Sequence, residues 1–160
     1  MRIIDGSGSA IGLTFAVVVA RYNDFVTDRL KKGALAALAQ AGVRDEDVTI
    51  VQVPGAFEIP TAARLAAATD AFDGIICLGC LIRGATPHFE YISSAVAHGL
   101  TAAAAETGVP MAFGVLTTNS AEEALERAVD GPSNKGWEAA TTTVEMALIA
   151  ADLLAPPSTP

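Results

Sequence analysis

Four short stretches of the chain are largely apolar and rich in β-branched residues. They cover residues 14–20, 48–53, 74–80 and 111–116. Strands that are buried on both faces of a parallel sheet have this composition, whereas half-exposed strands alternate apolar and polar positions. The pattern therefore predicts four parallel strands in the centre of the fold.

Helical periodicity follows the predicted strands. Apolar residues three or four positions apart mark three helical faces: Leu30, Ala34 and Leu38; Ile92, Val96 and Leu100; and Val144, Leu148 and Ala151. The sequence at 120–123 predicts a capping box, and Thr86 before Pro87 predicts a cap residue followed by proline at the first helical position. Alternation of strand and helix requires right-handed crossovers, so we expect an open three-layer α/β sandwich.

Length places these elements in one domain, residues 1–160, with an extended N-terminal segment at 1–12 and a flexible tail at 156–160. Apolar residues make up 51% of the chain and the mean hydropathy is +0.42. The chain has no run of about 18 apolar residues, so the sequence predicts no membrane span. The first six residues include an acid and a glycine where a signal peptide is apolar, so we expect a soluble cytoplasmic protein.

Charge narrows the class of ligand. The net charge is -8 and the chain has ten Lys and Arg residues, too few for the basic face that nucleic acid requires. An anionic small molecule must therefore meet a local basic cluster. Much of the apolar content is alanine, which buries little area per residue, so we expect apolar surface to remain for neighbouring subunits.

The two cysteines, Cys77 and Cys80, lie in an apolar run that predicts a buried strand. Residues three apart on a strand face opposite sides of the sheet, which favours two separate buried thiols over a redox pair. A zinc site would need ligands that the chain lacks, and His88 and His98 are ten helical positions apart and do not share a face. We therefore predict no metal site.

The ligand crevice of an open parallel sheet lies beyond the carboxyl ends of its strands. The third predicted end is the most informative, because a turn containing Gly84 before a helix offers free backbone N–H groups to an anion, with help from Arg83 and Thr86. His88 lies in the first helical turn, where an imidazole can exchange protons near neutral pH. Alternatively, Gly84 serves only the turn and Thr86 only caps the helix.

The second end carries Phe57 beside Glu58, which together with Tyr22 and Asn23 suits a flat heteroaromatic ring bearing hydroxyl groups. Alternatively, the aromatic residues form the rim of the core and Glu58 starts a helix. Arg127 precedes a turn-rich break at 128–134, and its other interpretation is a cation that ends a helix. The chain contains no nucleophile elbow, Walker loop or dinucleotide fingerprint, which argues against hydrolases, kinases and dehydrogenases.

Five segments of the chain form a distinctive set. They are Ala-Arg-Tyr-Asn at 20–23, Val-Pro-Gly-Ala-Phe-Glu-Ile-Pro at 53–60, Ile-Arg-Gly-Ala-Thr-Pro-His-Phe-Glu-Tyr at 82–91, Phe-Gly-Val-Leu-Thr at 113–117 and Asn-Lys-Gly at 134–136. Together they resemble the lumazine synthases. The resemblance spans roughly residues 12–154. The two long segments are specific because they occur in order and at fitting separations.

The resemblance implies a flavodoxin-like sandwich with a four-stranded parallel sheet, and active sites between adjacent subunits of a pentameric ring. The reaction it implies is a transfer that condenses 5-amino-6-(ribitylamino)uracil with 3,4-dihydroxy-2-butanone 4-phosphate to 6,7-dimethyl-8-ribityllumazine, the penultimate step of riboflavin biosynthesis. No metal or redox cofactor takes part. Riboflavin synthase is a further partner that the resemblance suggests.

The resemblance also assigns roles by motif position. Tyr22 would stack on the pyrimidine and His88 would move protons. The remaining contacts fall into three groups: Asn23, Ala56, Phe57 and Glu58 for the ribityl chain and ring, beside Leu81 and Ile82 in the pocket wall; Gly84, Ala85, Thr86 and Arg127 for the phosphate; and Phe113 with Lys135 from the neighbouring subunit.

Two departures from the family pattern are visible. Tyr22 stands where phenylalanine or tryptophan is usual, which preserves stacking, and residues 128–133 differ from the commoner runs. The short turn at 131–136 resembles the version found in shells of sixty chains, although Pro132 fixes its own φ and an isolated pentamer is the alternative. There are two alternative functions. One is a non-catalytic member of the family that binds a flavin-like ligand or builds a shell, and the other is a plain mononucleotide binder.

Overall fold

The central sheet consists of four parallel strands, β1 (Phe15–Ala20), β2 (Val48–Val53), β3 (Gly74–Ile82) and β4 (Met111–Thr118), in the computed structural model, which describes residues 1–156. Their order across the sheet is β2-β1-β3-β4. Both β3 and β4 extend two residues beyond the predicted ends, because Leu81 pairs with Thr117 and Ile82 with Thr118.

Within residues 1–156, five helices cover the sheet: α1 (Asp24–Gln40), α2 (Ile59–Ala67), α3 (His88–Thr107), α4 (Ala121–Glu126) and α5 (Lys135–Leu154). Helices α1, α4 and α5 pack on one face, and α2 and α3 pack on the other. Two 3-10 turns, Asp45–Asp47 and Ala56–Glu58, precede β2 and α2. The predicted three-layer α/β sandwich with flavodoxin-like strand order is confirmed.

Strand alternation divides the core into two layers. In β1, Phe15 packs toward α1 and α5, whereas its neighbour Ala16 packs toward α2 and α3. The same alternation puts Cys77 and Cys80 on opposite faces of β3, both buried and free, as the sequence predicted. Burial raises the pKa of both thiols, that of Cys80 to about 11. Neither thiol is therefore a ready nucleophile near neutral pH.

The helix starts differ in part from the predictions. Ser120 caps α4, accepting a hydrogen bond from the Glu123 N–H at 3.2 Å, but the Glu123 carboxylate accepts from Asn119 at 3.0 Å, one residue earlier than in a standard capping box. The predicted cap at Thr86 is wrong. Helix α3 begins at His88, because the carbonyl of Pro87 accepts its first hydrogen bond, from Tyr91.

The N-terminal segment at 1–12 contains neither helix nor strand and runs along α5. The Arg2 guanidinium donates to the Asp152 carbonyl, and Gly6, whose φ is 69°, packs against the carbonyl of Glu145. Of the predicted flexible tail, residues 157–160 lie outside the described residues. Within 1–156, none of the helices combines the length and apolarity needed to cross a membrane.

Candidate functional site

A cavity of about 870 Å³ opens at the carboxyl ends of β1, β2 and β3, where ligand sites of parallel sheets are expected. Ten residues predicted for the site line it: Tyr22, Asn23, Ala56, Phe57, Glu58, Leu81, Ile82, Gly84, Thr86 and His88. Ala85 lies between two of them in the chain and does not line the wall. Three strand ends that are far apart in sequence thus contribute to one concave surface.

Aromatic side chains around this cavity are unusually exposed. The exposed fraction is 72% for Tyr22, 60% for Phe57 and 73% for Tyr91. The alternative that Tyr22 and Phe57 form the rim of the core is therefore wrong. Tyr91 was not predicted for the site, although it lies one turn after His88 on α3, and that spacing is a signal the sequence offered. The exposed rings provide faces on which a planar ligand can stack.

The turn after β1 is fixed by its own hydrogen bonds. Asn23 has left-handed backbone angles, φ 62° and ψ 45°, and its side-chain Nδ2 donates to the carbonyl of Cys80 at 2.8 Å. The backbone N–H of Tyr22 donates to the carbonyl of Pro54 at 3.1 Å. Tyr22 and Asn23 are thereby held between the ends of β2 and β3, and the Oδ1 atom of Asn23 faces no donor among residues 1–156.

The loop before α3 has the properties of an anion site. Among residues 1–156, no acceptor binds the backbone N–H groups of Gly84, Ala85 or Thr86. These groups precede a helix of 20 residues, whose N-terminal end carries positive potential. Gly84 does not have a left-handed φ, and a Cβ added to it would meet nothing within 4 Å. Neither the turn nor packing within the chain therefore requires glycine there.

Arg83 is occupied by other contacts. Its Nε donates to the Oδ1 of Asn119 at 3.0 Å, it pairs with the carboxylate of Glu90, and its guanidinium lies 4.5 Å from the centre of the Phe89 ring. The pKa of Glu90 is lowered mainly by a hydrogen bond from the backbone of Glu90 itself and, to a smaller extent, by the hydrogen bond from Arg83. Arg83 does not line the cavity and instead ties the loop to β4 and α3, which differs from its predicted help with an anion.

The other three predicted residues lie elsewhere. Phe113, Arg127 and Lys135 line a second cavity, of about 470 Å³, along the open edge of β4 beside the start of α5. The Arg127 Nη1 donates to the carbonyl of Glu123 at 2.7 Å, so Arg127 also ends α4 as its alternative interpretation suggested. Lys135 pairs with Glu138 at 2.7 Å.

A single chain therefore does not bring all of the predicted site residues into one cavity. Arg127 does not line the cavity of Gly84 and Thr86, because α4 and α5 hold it beside β4. Phe113 pairs in register with Cys77, four residues before Leu81 along β3, and so it too lies away from the first cavity. Each cavity has only part of the predicted ligand contacts.

Comparison with known proteins identifies the family. The sequence profile of 6,7-dimethyl-8-ribityllumazine synthase matches residues 12–151. A protein of Syntrophus aciditrophicus (strain SB) named 6,7-dimethyl-8-ribityllumazine synthase is 49% identical over 144 residues, which are 90% of this chain and 94% of the relative. The chain belongs to the 6,7-dimethyl-8-ribityllumazine synthase family. The matched residues include both cavities, and the predicted resemblance is confirmed.

Proposed function

We propose that this enzyme of riboflavin biosynthesis, a 6,7-dimethyl-8-ribityllumazine synthase by its family, builds each active site from two copies of the chain. The observation that carries the proposal is the division of the predicted site between two cavities, one at the strand ends and one at the open edge of β4. A ring in which the β4 edge of each subunit faces the first cavity of the next would unite them.

The first cavity suits the ribitylamino-pyrimidine. Its volume falls within the range of about 300–1,000 Å³ usual for small-molecule sites. The exposed rings of Tyr22 and Phe57 would stack on the pyrimidine, while the free Oδ1 of Asn23 and the carboxylate of Glu58 would accept hydrogen bonds from the ribityl hydroxyls. Leu81 and Ile82 form the apolar wall beside them.

The keto-phosphate would bind where the two subunits meet. One subunit contributes the free N–H groups of residues 84–86 and the positive end of α3. The neighbour contributes Arg127 and Lys135, with Phe113 closing the site. In a chain of net charge -8, such a local pair of cations is what a phosphate requires.

The chemistry follows from the substrates. The amine of the pyrimidine attacks the ketone to form an imine with loss of one water, phosphate leaves by elimination, and the ring closes with loss of a second water. Because the substrates already carry the nucleophile and the leaving group, the enzyme works mainly by holding them in reactive geometry. His88, exposed in the cavity at the start of α3, would serve as the general acid and base.

The rest of the proposal concerns organisation. The chain would fold as one domain, residues 1–160, act in the cytoplasm and close into pentamers. Packing of pentamers into a shell of sixty chains is favoured over an isolated ring, with riboflavin synthase as a further partner. The two open sheet edges and the exposed Ile50 on β2 support burial of further surface by other copies.

Co-expression of two impaired variants, assayed at low keto-phosphate concentration, tests the shared site. His88→Ala removes a residue of the first cavity, and Arg127→Ala removes one of the second. If each site takes one cavity from each of two subunits, random mixing leaves about a quarter of the sites with neither change, and activity should recover toward that fraction. Activity no higher than the average of the two variants measured separately would overturn the proposal.

A further inference from the structure

Asn134 is a buried polar residue between α4 and α5, with 1% of its surface exposed. Its Oδ1 accepts hydrogen bonds from the backbone N–H of Gly136 at 2.8 Å and of Trp137 at 3.3 Å. Its Nδ2 donates to the carbonyl of Val129 at 2.9 Å and to that of Arg29 at 3.2 Å. Both donors and both acceptor positions of the amide are therefore used.

Only half of this arrangement is helix capping. The Oδ1 atom satisfies free N–H groups at the start of α5, which serine or aspartate would do as well. The Nδ2 atom instead reaches two carbonyls outside the helix. One belongs to Val129 in the loop between α4 and α5, and the other to Arg29 on α1. A cap alone does not account for these two bonds.

The loop that Asn134 holds ends at the two cations of the second cavity. The backbone N–H of Lys135 donates to the carbonyl of Arg127 at 2.9 Å, and that of Asn134 donates to Gly131 at 3.0 Å. The loop is thus closed at its base, and the bond from Nδ2 to Val129 secures its interior. Arg127 and Lys135 line the same wall as a result.

The amide has little room to move. A Cβ added to Gly33 on α1 would overlap the Asn134 side chain, and one added to Gly136 would overlap the carbonyl of Leu30. Helices α1 and α5 therefore approach closely at the level of Asn134. This contact fixes the start of α5, and with it Lys135, against the sheet layer.

We propose that Asn134 is a positioning residue for Arg127 and Lys135, setting through its Nδ2 atom the path of the loop that spaces them. The inference rests on the proposed function, in which these two cations bind the phosphate of the substrate. It assigns Asn134 a role in affinity for that substrate, separate from its role in stability.

Asn134→Asp separates the two roles. Aspartate still caps α5 but places a carboxylate oxygen against the carbonyls of Val129 and Arg29. We expect the KM for the keto-phosphate to rise by roughly 3- to 100-fold, since small misplacement of binding groups has effects of this order, while the KM for the pyrimidine stays within about twofold. Gly33→Ala, whose methyl group displaces the amide without removing it, should give the same split.

Thr143→Ala is the structural control. Thr143 is buried on α5 and donates to the carbonyl of Ala139 at 2.8 Å, two turns from the loop. Its loss should lower the Tm and leave both KM values unchanged. If Asn134→Asp and Gly33→Ala behave like this control, with normal keto-phosphate KM, Asn134 is only structural and the inference fails.

The same assay separates this failure from that of the proposed function. Arg127→Ala and Lys135→Ala should each raise the keto-phosphate KM. If neither does, the phosphate site itself is wrongly assigned. If Asn134→Asp raises the keto-phosphate KM while Arg127→Ala and Lys135→Ala do not, Asn134 does not act through the two cations, and the inference also fails. A keto-phosphate effect in Arg127→Ala but not in Asn134→Asp overturns the inference alone.

Discussion

The side-chain amide of Asn23 donates to the backbone carbonyl of Cys80 at 2.8 Å and so joins the turn after β1 to the end of β3. Asn23 adopts left-handed backbone angles, which residues other than glycine rarely do and asparagine tolerates better than most. Such strained residues are frequent at functional sites, and Asn23 lines the first cavity. One residue thus sets the turn and, in the proposed site, would present an acceptor to the ligand.

Substitution of Asn23 should separate the contribution of its hydrogen bond to Cys80 from the cost of its left-handed backbone angles. Both Asn23→Gly and Asn23→Ala lose the bond to Cys80, a loss of about 0.5–1.5 kcal/mol in the free energy of unfolding. Of the two variants, only Asn23→Ala also incurs the cost of left-handed backbone angles, roughly 1–2 kcal/mol. We expect the glycine variant to be the more stable by about 1 kcal/mol in urea unfolding. Equal stability of the two would show that the backbone is unstrained.

Gly84→Ala should reduce substrate affinity without reducing stability. No left-handed φ and no close neighbour require glycine there, so the added methyl group fits the isolated chain. It would stand beside the N–H groups offered to the phosphate and keep the substrate from the backbone. We expect an unchanged Tm and a keto-phosphate KM raised by about tenfold or more, measured by steady-state kinetics.

Gly108→Ala is the matched control for Gly84→Ala. A Cβ at Gly108 also meets open space, but φ is 72° and the residue ends α3 far from the cavity. Its substitution should lower stability by about 1 kcal/mol and leave the kinetics unchanged. A normal keto-phosphate KM in Gly84→Ala would remove residues 84–86 from the anion site.

His88→Ala should slow turnover by a factor of roughly 10 to 1,000 without abolishing it, because proton transfer acts beside the larger contribution of proximity. The measurement is the absorbance of the lumazine product under saturating substrates. His98→Ala is the control on the same helix, since His98 lies outside the cavity and its Nδ1 contacts the carbonyl of Ser94 at 2.8 Å. Equal rates for the two variants would exclude His88 from the mechanism.

The layers of the fold were predictable because burial on both faces of a strand leaves a visible apolar run. Residues 74–80 are buried throughout, and the alternation that separates Cys77 from Cys80 follows from strand geometry alone. β2 was predicted equally well, yet Thr49 and Ile50 are exposed at its edge. Its apolar composition exceeds what one chain buries, and a single sequence does not say which strands lie at an edge.

The site was predictable only in part. Residues 54–58 and 84–88 could be assigned because parallel strand ends converge, whatever the tertiary detail. The start of α3 was misplaced because local pattern does not reveal which carbonyl accepts the first helical bond. The contact of Asn134 with Arg29 spans 105 residues, and it depends on how closely α1 and α5 approach. Local spacing carries no information about that distance.

The thiols should resist alkylation in the native protein. At pH 8 we expect iodoacetamide to modify Cys77 and Cys80 only after unfolding in guanidinium, because burial raises both pKa values. The pKa of Cys80 rises from 9.0 to about 11, so the unfolded state ionises first and stability falls across that pH window. Cys80→Ala should reduce this alkaline loss. Rapid modification of the native protein would favour the redox pair instead.

We expect the loop between α4 and α5 to determine how many chains assemble. The loop is short and is closed at its base by the bond from Lys135 to Arg127. This fits the compact turn that the sequence resemblance associates with a shell of sixty chains. Pro132 is exposed and bonds to neither end. We therefore expect light scattering to give sixty chains of 16.3 kDa, about 980 kDa, rather than five.

A variant with four residues inserted after Pro132 provides the control. The longer loop should splay α4 and α5 and obstruct contact between pentamers, so the mass should fall to about 84 kDa, that of a closed ring of five longer chains. Each ring keeps its shared sites and should stay active, but the KM for the keto-phosphate should rise because the insertion moves Arg127 relative to Lys135. A wild-type mass near five chains would defeat the argument from the compact turn and leave the shared site intact. A wild-type monomer with full activity would defeat both.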